Sequence, residues 1–511
     1  MKKLLNFIFS RVVITVFFLL FQVLLLAGII SEFKNYFSYF YFAFTVISIL
    51  FVLHIINNTS NPAFKIAWLI LILTIPIFGV LFYAMFGMEK MNKKQQKKMA
   101  EVNDSLLKIM GNQKNTLDEI GKCSQTALTQ SRYIAHTGYY PPFANTQTEY
   151  LSSGEVKFER LKEELNKAEH YIFLEYFIIE EGVMWNTILE ILVRKVNQGV
   201  DVRVIYDDIG TITTLPHKYN EKLEALGIKC RIFNPFIPIL SSHYNNRDHR
   251  KIAIIDGHTG FTGGANIADE YINAVKKHGH WKDTAMLLKG EAVWSLTLIF
   301  LSMWDYINGI TEDYTLYNPH VYQKEHFQND GFVQPFADSP LDEEAMGQNV
   351  YLNLIDKATR YVYINTPYLI LDYEMITALT TAAKSGIDVR IVLPHIEDKW
   401  YVHIVTRSYY ATLLEGGVHI YEYTPGFMHA KSFVVDDEYG VIGTINIDFR
   451  SFYLHFECGI WLYKTNSILD LKKDFLTTLE FCKKITIEEC QAVKWYTRLG
   501  RSLLRVFAPL M

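Results

Sequence analysis

Two short strings of the same form could carry phosphate chemistry in this chain. "HRKIAIID" begins at His249 and "HAKSFVVD" at His429, and each reads His, any residue, Lys, four residues, Asp. The lysine opens an apolar, β-branched run typical of a buried strand, on which residues two apart point to the same face. His249 is therefore expected beside Lys251, and His429 beside Lys431. An imidazole next to a fixed cation can attack or protonate at a phosphate while the cation stabilises the developing negative charge.

The end of each string and the residues after it indicate further contacts. Asp256 and Asp436 complete the two catalytic strings and fall where the strand gives way to turn-prone residues. A structural role, hydrogen bonding to backbone near the turn, is the one we expect for them. Each is followed by a shared Gly-x-x-Asn element, "GGAN" ending at Asn266 and "GTIN" ending at Asn446, whose amides can bond a phosphate oxygen. A lone histidine near a lysine is usually an ordinary surface pair, but two matching copies favour a site.

The strings belong to a longer repeat. "GVDVRVIYDD" from Gly199 is echoed by "GIDVRIVLPH" from Gly386, and "AEHYIFLEY" from Ala168 by "ATRYVYINT" from Ala358. The echoes keep their order at offsets of 187 and 190 residues, which indicates a duplicated domain. Within each copy, helix-like segments alternate with apolar β-rich runs. This alternation predicts α/β units in which helices cover a mostly buried sheet.

Composition limits the classes of function. The chain has 511 residues, too many for one ordinary domain, and is 50% hydrophobic and 14% aromatic, a level that suggests lipid contact. Its net charge of −4 lacks the basic surplus of a nucleic-acid binder, so no nucleic-acid partner is expected. Five cysteines without metal-type spacing are interpreted as reduced thiols, which supports a catalytic body on the cytoplasmic side. Nothing in the sequence indicates an oligomeric state.

Three uncharged stretches lie within the first ninety residues, at 12–30, 36–56 and 66–86. Each is long enough to cross a hydrocarbon layer of roughly 30 Å. The first could instead be a secretory signal, although it is too long and no A-x-A site follows, and the aromatic second could lie at the interface. Lys and Arg number six on one side of the spans and four on the other, which favours a cytoplasmic catalytic part. We predict an integral, multi-pass protein of the cell membrane.

The repeated motifs resemble the phospholipase D superfamily, whose signature is this His-x-Lys-x4-Asp with a trailing Gly-x-x-Asn, usually supplied twice for one active site. The resemblance to bacterial cardiolipin synthases covers nearly the whole chain. "NPAFKIAWLILILTIPIFGVLFYAMFG" is similar to their membrane-anchor motif, and "NNRDHRKIAIIDG", "FTGGANIADEY", "FMHAKSFVVDD" and "GTINIDFRSFYLHFE" to their catalytic motifs. It implies an α/β fold of two duplicated phospholipase D-type α/β/α sandwich domains with pseudo-two-fold symmetry, preceded by N-terminal transmembrane helices.

The same resemblance nominates the acids that orient the imidazoles. Asp283 in "HWKDT" and Glu457 in "HFE" stand some 30 residues after each histidine, where the superfamily has a carboxylate on the other ring nitrogen. A histidine nucleophile needs the proton of its second nitrogen held, and a carboxylate does this. The chain departs from the family at Gly264, where many members carry Ser, and at His455, where Asn is frequent.

The function implied by the resemblance is cardiolipin synthesis from two molecules of phosphatidylglycerol. One histidine attacks phosphorus to give a phosphatidyl-histidine, and the other protonates the departing glycerol and then activates the second lipid's hydroxyl. We assign attack to His249 and acid–base catalysis to His429, although the residues alone allow the reverse. No cofactor and no metal are expected, because Lys251 and Lys431 can stabilise the charge. The expected partners are phosphatidylglycerol and other anionic membrane lipids.

Other functions remain open from the residues. A membrane-bound phospholipase D hydrolase, or another phosphatidyltransferase, would use the same side chains. A nuclease is disfavoured by the acidic balance and the anchor, and a non-catalytic lipid-binding scaffold by the completeness of both motifs.

The last residues predict a basic amphipathic helix. Lys494, Arg498, Arg501 and Arg505 recur along one helix face, with an apolar stripe beside them. Such a helix either lies on an anionic membrane surface or packs on the second domain with a solvated basic edge. The predicted organisation is a membrane anchor (1–87), a polar connector (88–135), two phospholipase D-like domains (136–328 and 329–492) and the C-terminal helix (493–511).

Overall fold

The computed structural model describes residues 20–21, 24, 28, 37–87, 97–100, 114–236, 245–322, 327–342 and 344–510. Within these ranges the chain forms two α/β halves, each built on one mixed sheet.

The strands follow one another in the same pattern in the two halves. They are β1 (Thr146–Leu151), β2 (Tyr171–Tyr176), β3 (Asp201–Asp207), β4 (Lys229–Phe233), β5 (Arg247–Asp248), β6 (Lys251–Ile255), β7 (Thr259–Gly263), β8 (His280–Lys282), β9 (Ala285–Gly290), β10 (Phe332–Asp338), β11 (Tyr361–Asn365), β12 (Asp388–Pro394), β13 (His419–Tyr423), β14 (Gly426–Met428), β15 (Ser432–Val435), β16 (Tyr439–Gly443), β17 (His455–Tyr463) and β18 (Cys482–Lys484).

The helices lie before, between and after the two sheets. They are α1 (Phe37–Asn57), α2 (Pro62–Thr74), α3 (Pro76–Phe82), α4 (Lys114–Cys123), α5 (Gln125–Thr137), α6 (Gly154–Lys167), α7 (Val183–Asn197), α8 (Asp208–Thr211), α9 (Tyr219–Ala225), α10 (Val293–Asn308), α11 (Pro319–Tyr322), α12 (Met346–Lys357), α13 (Tyr373–Lys384), α14 (Trp400–Ser408), α15 (Tyr410–Glu415), α16 (Phe449–Tyr453), α17 (Asn466–Leu479), α18 (Ile487–Gln491) and α19 (Trp495–Phe507).

The two sheets share one topology. In the first the order is β1-β9-β7-β6-β2-β3-β4, and in the second β10-β17-β16-β15-β11-β12-β13-β18. In each, the central strand (β2 or β11) is parallel to one neighbour and antiparallel to the strand that carries the motif (β6 or β15). Every residue of β2 is buried, as expected for a strand covered on both faces. The duplicated α/β fold predicted from the repeats is confirmed.

A shared apolar core joins the halves. One buried cluster combines Ile254 and Phe300 of the first half with Val434, Ile460 and Phe475 of the second. The opposite face of each sheet has a separate core of its own, under α6 and α7 in the first half and under α12 and α13 in the second. Each sheet therefore lies between its own helices and a core common to both halves, which holds the two motifs in a fixed relative position.

The N-terminal segment differs in part from the predicted spans. Most of the first stretch, 12–30, lies outside the described residues, and the second corresponds to α1. The third, expected as one helix over 66–86, is divided into α2, α3 and a π-helical turn, Tyr83–Gly87. The division falls at Ile75 (φ −136°, ψ 76°), because Pro76 disfavours helical backbone in the residue before it. Among the described helices, none combines the length and the apolar character needed to cross a membrane.

The predicted C-terminal helix is present as α19, which packs against α14 and α2. Its apolar side chains at Trp495, Tyr496, Leu499 and Leu503 are nevertheless more than half exposed. The helix is therefore packed along one side and apolar along a side that faces outward.

Candidate active site

Each motif histidine is held in place by a strand from the other half. Just before His249, β5 pairs in parallel with β17 of the second half, and the His249 N–H donates to the carbonyl oxygen of Phe456 at 2.9 Å. Just before His429, β14 pairs in parallel with β8 of the first half, and the His429 N–H donates to the carbonyl oxygen of Lys282 at 2.7 Å. This reciprocal pairing brings the two motifs to one interface.

The orienting carboxylates also cross between the halves. Nδ1 of His249 lies 2.9 Å and 3.1 Å from the two carboxylate oxygens of Glu457, and Nδ1 of His429 lies 2.7 Å from Oδ2 of Asp283. Both acids are fully buried. With Nδ1 engaged, Nε2 is the nitrogen left for chemistry on each ring. The sequence nominates both acids but not this exchange, in which each acid serves the histidine of the other copy.

The motif lysines are buried beside the histidines in matching geometry. The ammonium of Lys251 donates to the carbonyl oxygen of His249 at 2.5 Å, and that of Lys431 to the carbonyl oxygen of His429 at 2.5 Å. Burial lowers the pKa of Lys251 to about 8 and the pKa of Lys431 to about 7. Desolvation is the main cause and disfavours the charged form, while the buried carboxylates of Asp283 and Glu457 favour it.

Both imidazoles are held neutral in the free protein. Burial, and then the charge of Lys431, lowers the pKa of His429 to about 4. Burial, and then the charge of Lys251, lowers the pKa of His249 well below its ordinary range. His429 also acts electrostatically on His249, which places the two rings in the same local field. A bound phosphodiester anion would relieve this positive field and raise the pKa of both rings.

The motif aspartates lie apart from the histidines and contact backbone. The Asp256 carboxylate accepts the backbone N–H groups of Glu169, His170 and Tyr171, each at 2.8 Å. Asp436 accepts the corresponding three backbone N–H groups before β11, at 2.6 to 2.9 Å. Both aspartates have left-handed backbone, φ 50° and 56°. They lie at the far ends of β6 and β15 and fix the start of the adjacent central strand.

The two motif asparagines have different surroundings. The Asn266 side chain accepts the N–H of Ile178 at 3.1 Å and donates to the Tyr271 hydroxyl at 2.6 Å, so it is occupied within the protein. Asn446 is 4% exposed, and its Oδ1 has no hydrogen-bond partner among the described residues. Of the two amide oxygens, that of Asn446 is the one without a hydrogen-bond partner among the described residues.

Sequence reasoning missed the role of Thr444, the second residue of "GTIN". Its hydroxyl donates to Oε2 of Glu457 at 2.5 Å and so orients the carboxylate rather than a phosphate. At the matching position, a Cβ on Gly264 would lie only 2.1 Å from Oδ1 of Asp283. The glycine is therefore needed to make room for the acid, whose Oδ1 accepts the Thr284 N–H at 2.8 Å instead. The difference between "GGAN" and "GTIN" was the feature of the sequence that could have indicated these roles of Gly264 and Thr444.

A third histidine lies at the site and was noted from the sequence only as a family departure. The His455 ring centroid is 5.6 Å from that of His249, and neither His455 nitrogen has a hydrogen-bond partner among the described residues. Burial lowers the pKa of His455 to about 3. In the described part of the chain, His249, His455 and Glu457 offer potential metal-ligand atoms within 4.8 Å of one another. In the present geometry, Nδ1 of His249 and the Glu457 carboxylate are already hydrogen-bonded to each other.

A duplicated α/β fold that brings one His–Lys pair from each copy to a shared interface defines a phospholipase D-type enzyme with two motifs. Residues 161–288 and 351–479 match the family described as "Cardiolipin synthase, PLD-like domain", and residues 46–87 match "Phospholipase D-nuclease N-terminal". The chain belongs to the phospholipase D-like cardiolipin synthase family.

Relatives resemble the chain over most of its length. It is 39% identical over 457 residues to a cardiolipin synthase of Geobacillus kaustophilus, covering 88% of this chain and 89% of that protein. It is 35% identical over 455 residues to cardiolipin synthase 2 of Bacillus anthracis, covering 88% and 87%. A phosphatidylserine synthase from Haemophilus influenzae superposes with a TM-score of 0.55 at 17% identity, covering 75% of this chain and 97% of that one. This last similarity supports the fold.

Proposed function

We propose that this protein is a cardiolipin synthase that transfers a phosphatidyl group from one phosphatidylglycerol to another and releases glycerol. The observation that carries the proposal is the pair of crossed contacts, His249 with Glu457 and His429 with Asp283. They leave two oriented Nε2 atoms beside two buried lysines, the groups that a two-step transfer of a phosphodiester requires. The relatives named cardiolipin synthase support the choice of lipid.

In the first step, Nε2 of His249 attacks the phosphorus of phosphatidylglycerol. An N–P bond forms, the bond from phosphorus to the glycerol headgroup oxygen breaks, and His429 gives that oxygen its proton. Glu457 stabilises the positive charge that His249 gains. The bound phosphate anion raises the pKa of His429 from its low value in the free protein, which allows it to hold the proton that it donates.

In the second step, a hydroxyl of another phosphatidylglycerol replaces the departed glycerol. His429 removes the proton of this hydroxyl, the oxygen attacks phosphorus, and the N–P bond to His249 breaks. The products are cardiolipin and the free enzyme. Lys251 and Lys431 stabilise the charge on the phosphate oxygens in both steps, so the reaction needs neither a nucleotide nor a metal.

The location of the protein follows from the same proposal. We assign it to the cell membrane as a multi-pass protein with its catalytic halves on the cytoplasmic face. The apolar outer faces of α1 and α2 support the assignment, as does the outward apolar side of α19. Basic residues on α19, such as Arg498, would meet the anionic headgroups.

The test is product analysis with purified protein and labelled phosphatidylglycerol in vesicles. Labelled cardiolipin and free glycerol are expected from the wild-type protein, with no cardiolipin from either His249→Ala or His429→Ala, because one ring cannot perform both roles. Substantial synthesis by either variant would contradict the two-histidine mechanism. Phosphatidic acid as the main product would instead identify a hydrolase that uses water as acceptor.

A further inference from the structure

A cavity of about 320 Å³ lies between the N-terminal helices and the second half. Apolar side chains of α1, α2 and the turn after α3 form most of its wall, among them Trp68, Leu71 and Phe86. The C-terminal Leu510 closes part of it. Its size falls in the range of small-molecule binding sites, roughly 300 to 1,000 Å³.

The wall of the cavity is continuous with the backbone that holds the catalytic histidine. Leu454 lines the cavity and directly precedes β17, whose Phe456 carbonyl oxygen accepts the N–H of His249. Asn245 also lines the cavity and lies two residues before β5, which pairs with β17. The cavity therefore borders on the two segments that carry His249 and Glu457.

The helix that forms this wall is attached by specific polar contacts. Asn61 caps α2 by accepting the Ala63 N–H at 2.9 Å, and its amide donates to Asp372 at 3.1 Å and to the Tyr453 hydroxyl at 2.9 Å. The Phe64 ring packs edge-on against Tyr453, with centroids 5.7 Å apart. The cavity is thus a built part of the junction between the N-terminal helices and the catalytic half.

The described lining is mostly apolar and contains one cation. Lys65 is the charged residue of the described lining, which contains no carboxylate. Its ammonium lies near the end of α1, where it donates to the carbonyl oxygens of Ile56, at 3.2 Å, and of Asn58. The same helices are apolar on the outside, with Ile66 and Leu73 more than half exposed. An acyl chain entering from a surrounding lipid phase would pass from these apolar outer faces into a cavity whose wall is also apolar.

We propose that this cavity binds one acyl chain of the phosphatidylglycerol substrate, with Lys65 near the charged end of the lipid. The inference rests on the proposed function and extends it to the part of the lipid that does not react. A chain held beside Leu454 would lie next to β17, the strand that carries Glu457, and would limit the motion of the lipid before attack. Binding energy from the unreactive chain would then be used to orient the reacting phosphate.

The test uses the full-length protein in nanodiscs that contain phosphatidylglycerol with a photoreactive diazirine near the end of one acyl chain. Peptide mapping after irradiation should find labels in residues 62–74 and 508–510. Leu71→Trp fills the cavity from α2, and Ser60→Trp fills it from a loop outside the helix packing. Leu73→Trp is the matched control, since it adds the same side chain to the exposed face of α2.

Both filling variants should reduce the label at 508–510 and raise KM for long-chain phosphatidylglycerol roughly tenfold, with KM for the dihexanoyl lipid unchanged. The control should match the wild-type protein in both assays. Labels confined to the exposed faces of α1 and α2, or equal rises in KM for long and short chains, would overturn the proposal. Labelling does not require turnover, so the two assays are independent. If the cavity is labelled but no cardiolipin forms, the proposed function alone is refuted. If cardiolipin forms but the cavity is not labelled, the acyl-chain site alone is refuted.

Discussion

Replacing Glu457 with Gln removes one charge from the centre of the site and keeps the size of the side chain. The carboxylate lies 2.9 Å from Nδ1 of His249 and is fully buried. In the proposed mechanism the His249 ring becomes cationic as it attacks, and a unit charge pair at this distance is worth on the order of 5 kcal/mol at an effective dielectric constant of about 20. The dipole of the Gln amide would retain part of this interaction energy. At ~1.4 kcal/mol per factor of ten, we expect Glu457→Gln to lower turnover by roughly 10²- to 10⁴-fold.

The orientation of the new amide gives a second reason for the loss. The Thr444 hydroxyl donates to Oε2 of Glu457 at 2.5 Å, so Gln at this position would keep its carbonyl oxygen toward Thr444 and turn its NH₂ group toward His249. An N–H donor pairs only with an unprotonated Nδ1, which moves the ring proton to Nε2. In the proposed mechanism Nε2 is the attacking nitrogen, and in this tautomer it has no free lone pair.

The assay is the initial rate of cardiolipin formation from phosphatidylglycerol vesicles, with thermal melting measured on the same samples. Glu422→Gln is the matched control, because Glu422 is also buried and lies 2.9 Å from Nδ1 of a histidine, His395, in the same half. We expect the control to lower Tm but to keep turnover within a few-fold of wild type. The reasoning is refuted if Glu457→Gln keeps more than about a tenth of the wild-type turnover, or if the control loses as much.

Three further predictions concern protons, metals and the membrane. At pH 7 the binding of a non-hydrolysable phosphodiester lipid should take up protons, because His429 (pKa about 4) and about half of Lys431 (pKa about 7) are neutral in the free protein and the bound anion raises both pKa values. Calorimetry in two buffers of different ionisation enthalpy measures this uptake, and His429→Ala should remove the part of it that belongs to the imidazole. Activity should survive EDTA, because the lysines stabilise the phosphate charge. Loss of activity in EDTA that zinc restores would show this prediction to be wrong, and His455→Asn would then test whether His455 is a zinc ligand. Leu499→Glu combined with Leu503→Glu, on the exposed side of α19, should reduce activity on vesicles far more than on detergent-dispersed lipid, whereas equal losses would indicate that α19 serves packing alone.

The sequence predicted those features of the fold that local patterns determine. The apolar runs at β6 and β15 and the ordered echoes around them indicated the duplicated α/β fold, because strand periodicity and repetition are both visible along a chain. The division of the third apolar stretch at Pro76 was also readable, since proline restricts the residue before it, but the length of the stretch outweighed that signal in the prediction of a single span.

The exchange of partners between the halves could not be predicted, because it depends on tertiary pairing. Asp283 and Glu457 each follow a motif histidine in the sequence, and nothing in that spacing says that β8 pairs with β14 and β5 with β17. The position of His455 follows from the same pairing. The structural role of Asp256, by contrast, was expected from its turn-prone neighbours, and its three backbone contacts agree with that expectation.

The exchange of Asp283 and Glu457 between the halves means that neither half, expressed alone, would contain an oriented histidine. Two identical copies related by exact symmetry would supply both orienting acids, but their histidines would be interchangeable, and each ring would have to serve equally well as attacker and as proton carrier. In one polypeptide the two copies need not be equivalent. The two acids differ accordingly: the shorter Asp283 lies beside Gly264, and the longer Glu457 is held by Thr444. In a single polypeptide, one ring can therefore be specialised for attack and the other for proton transfer, while both depend on the same fold.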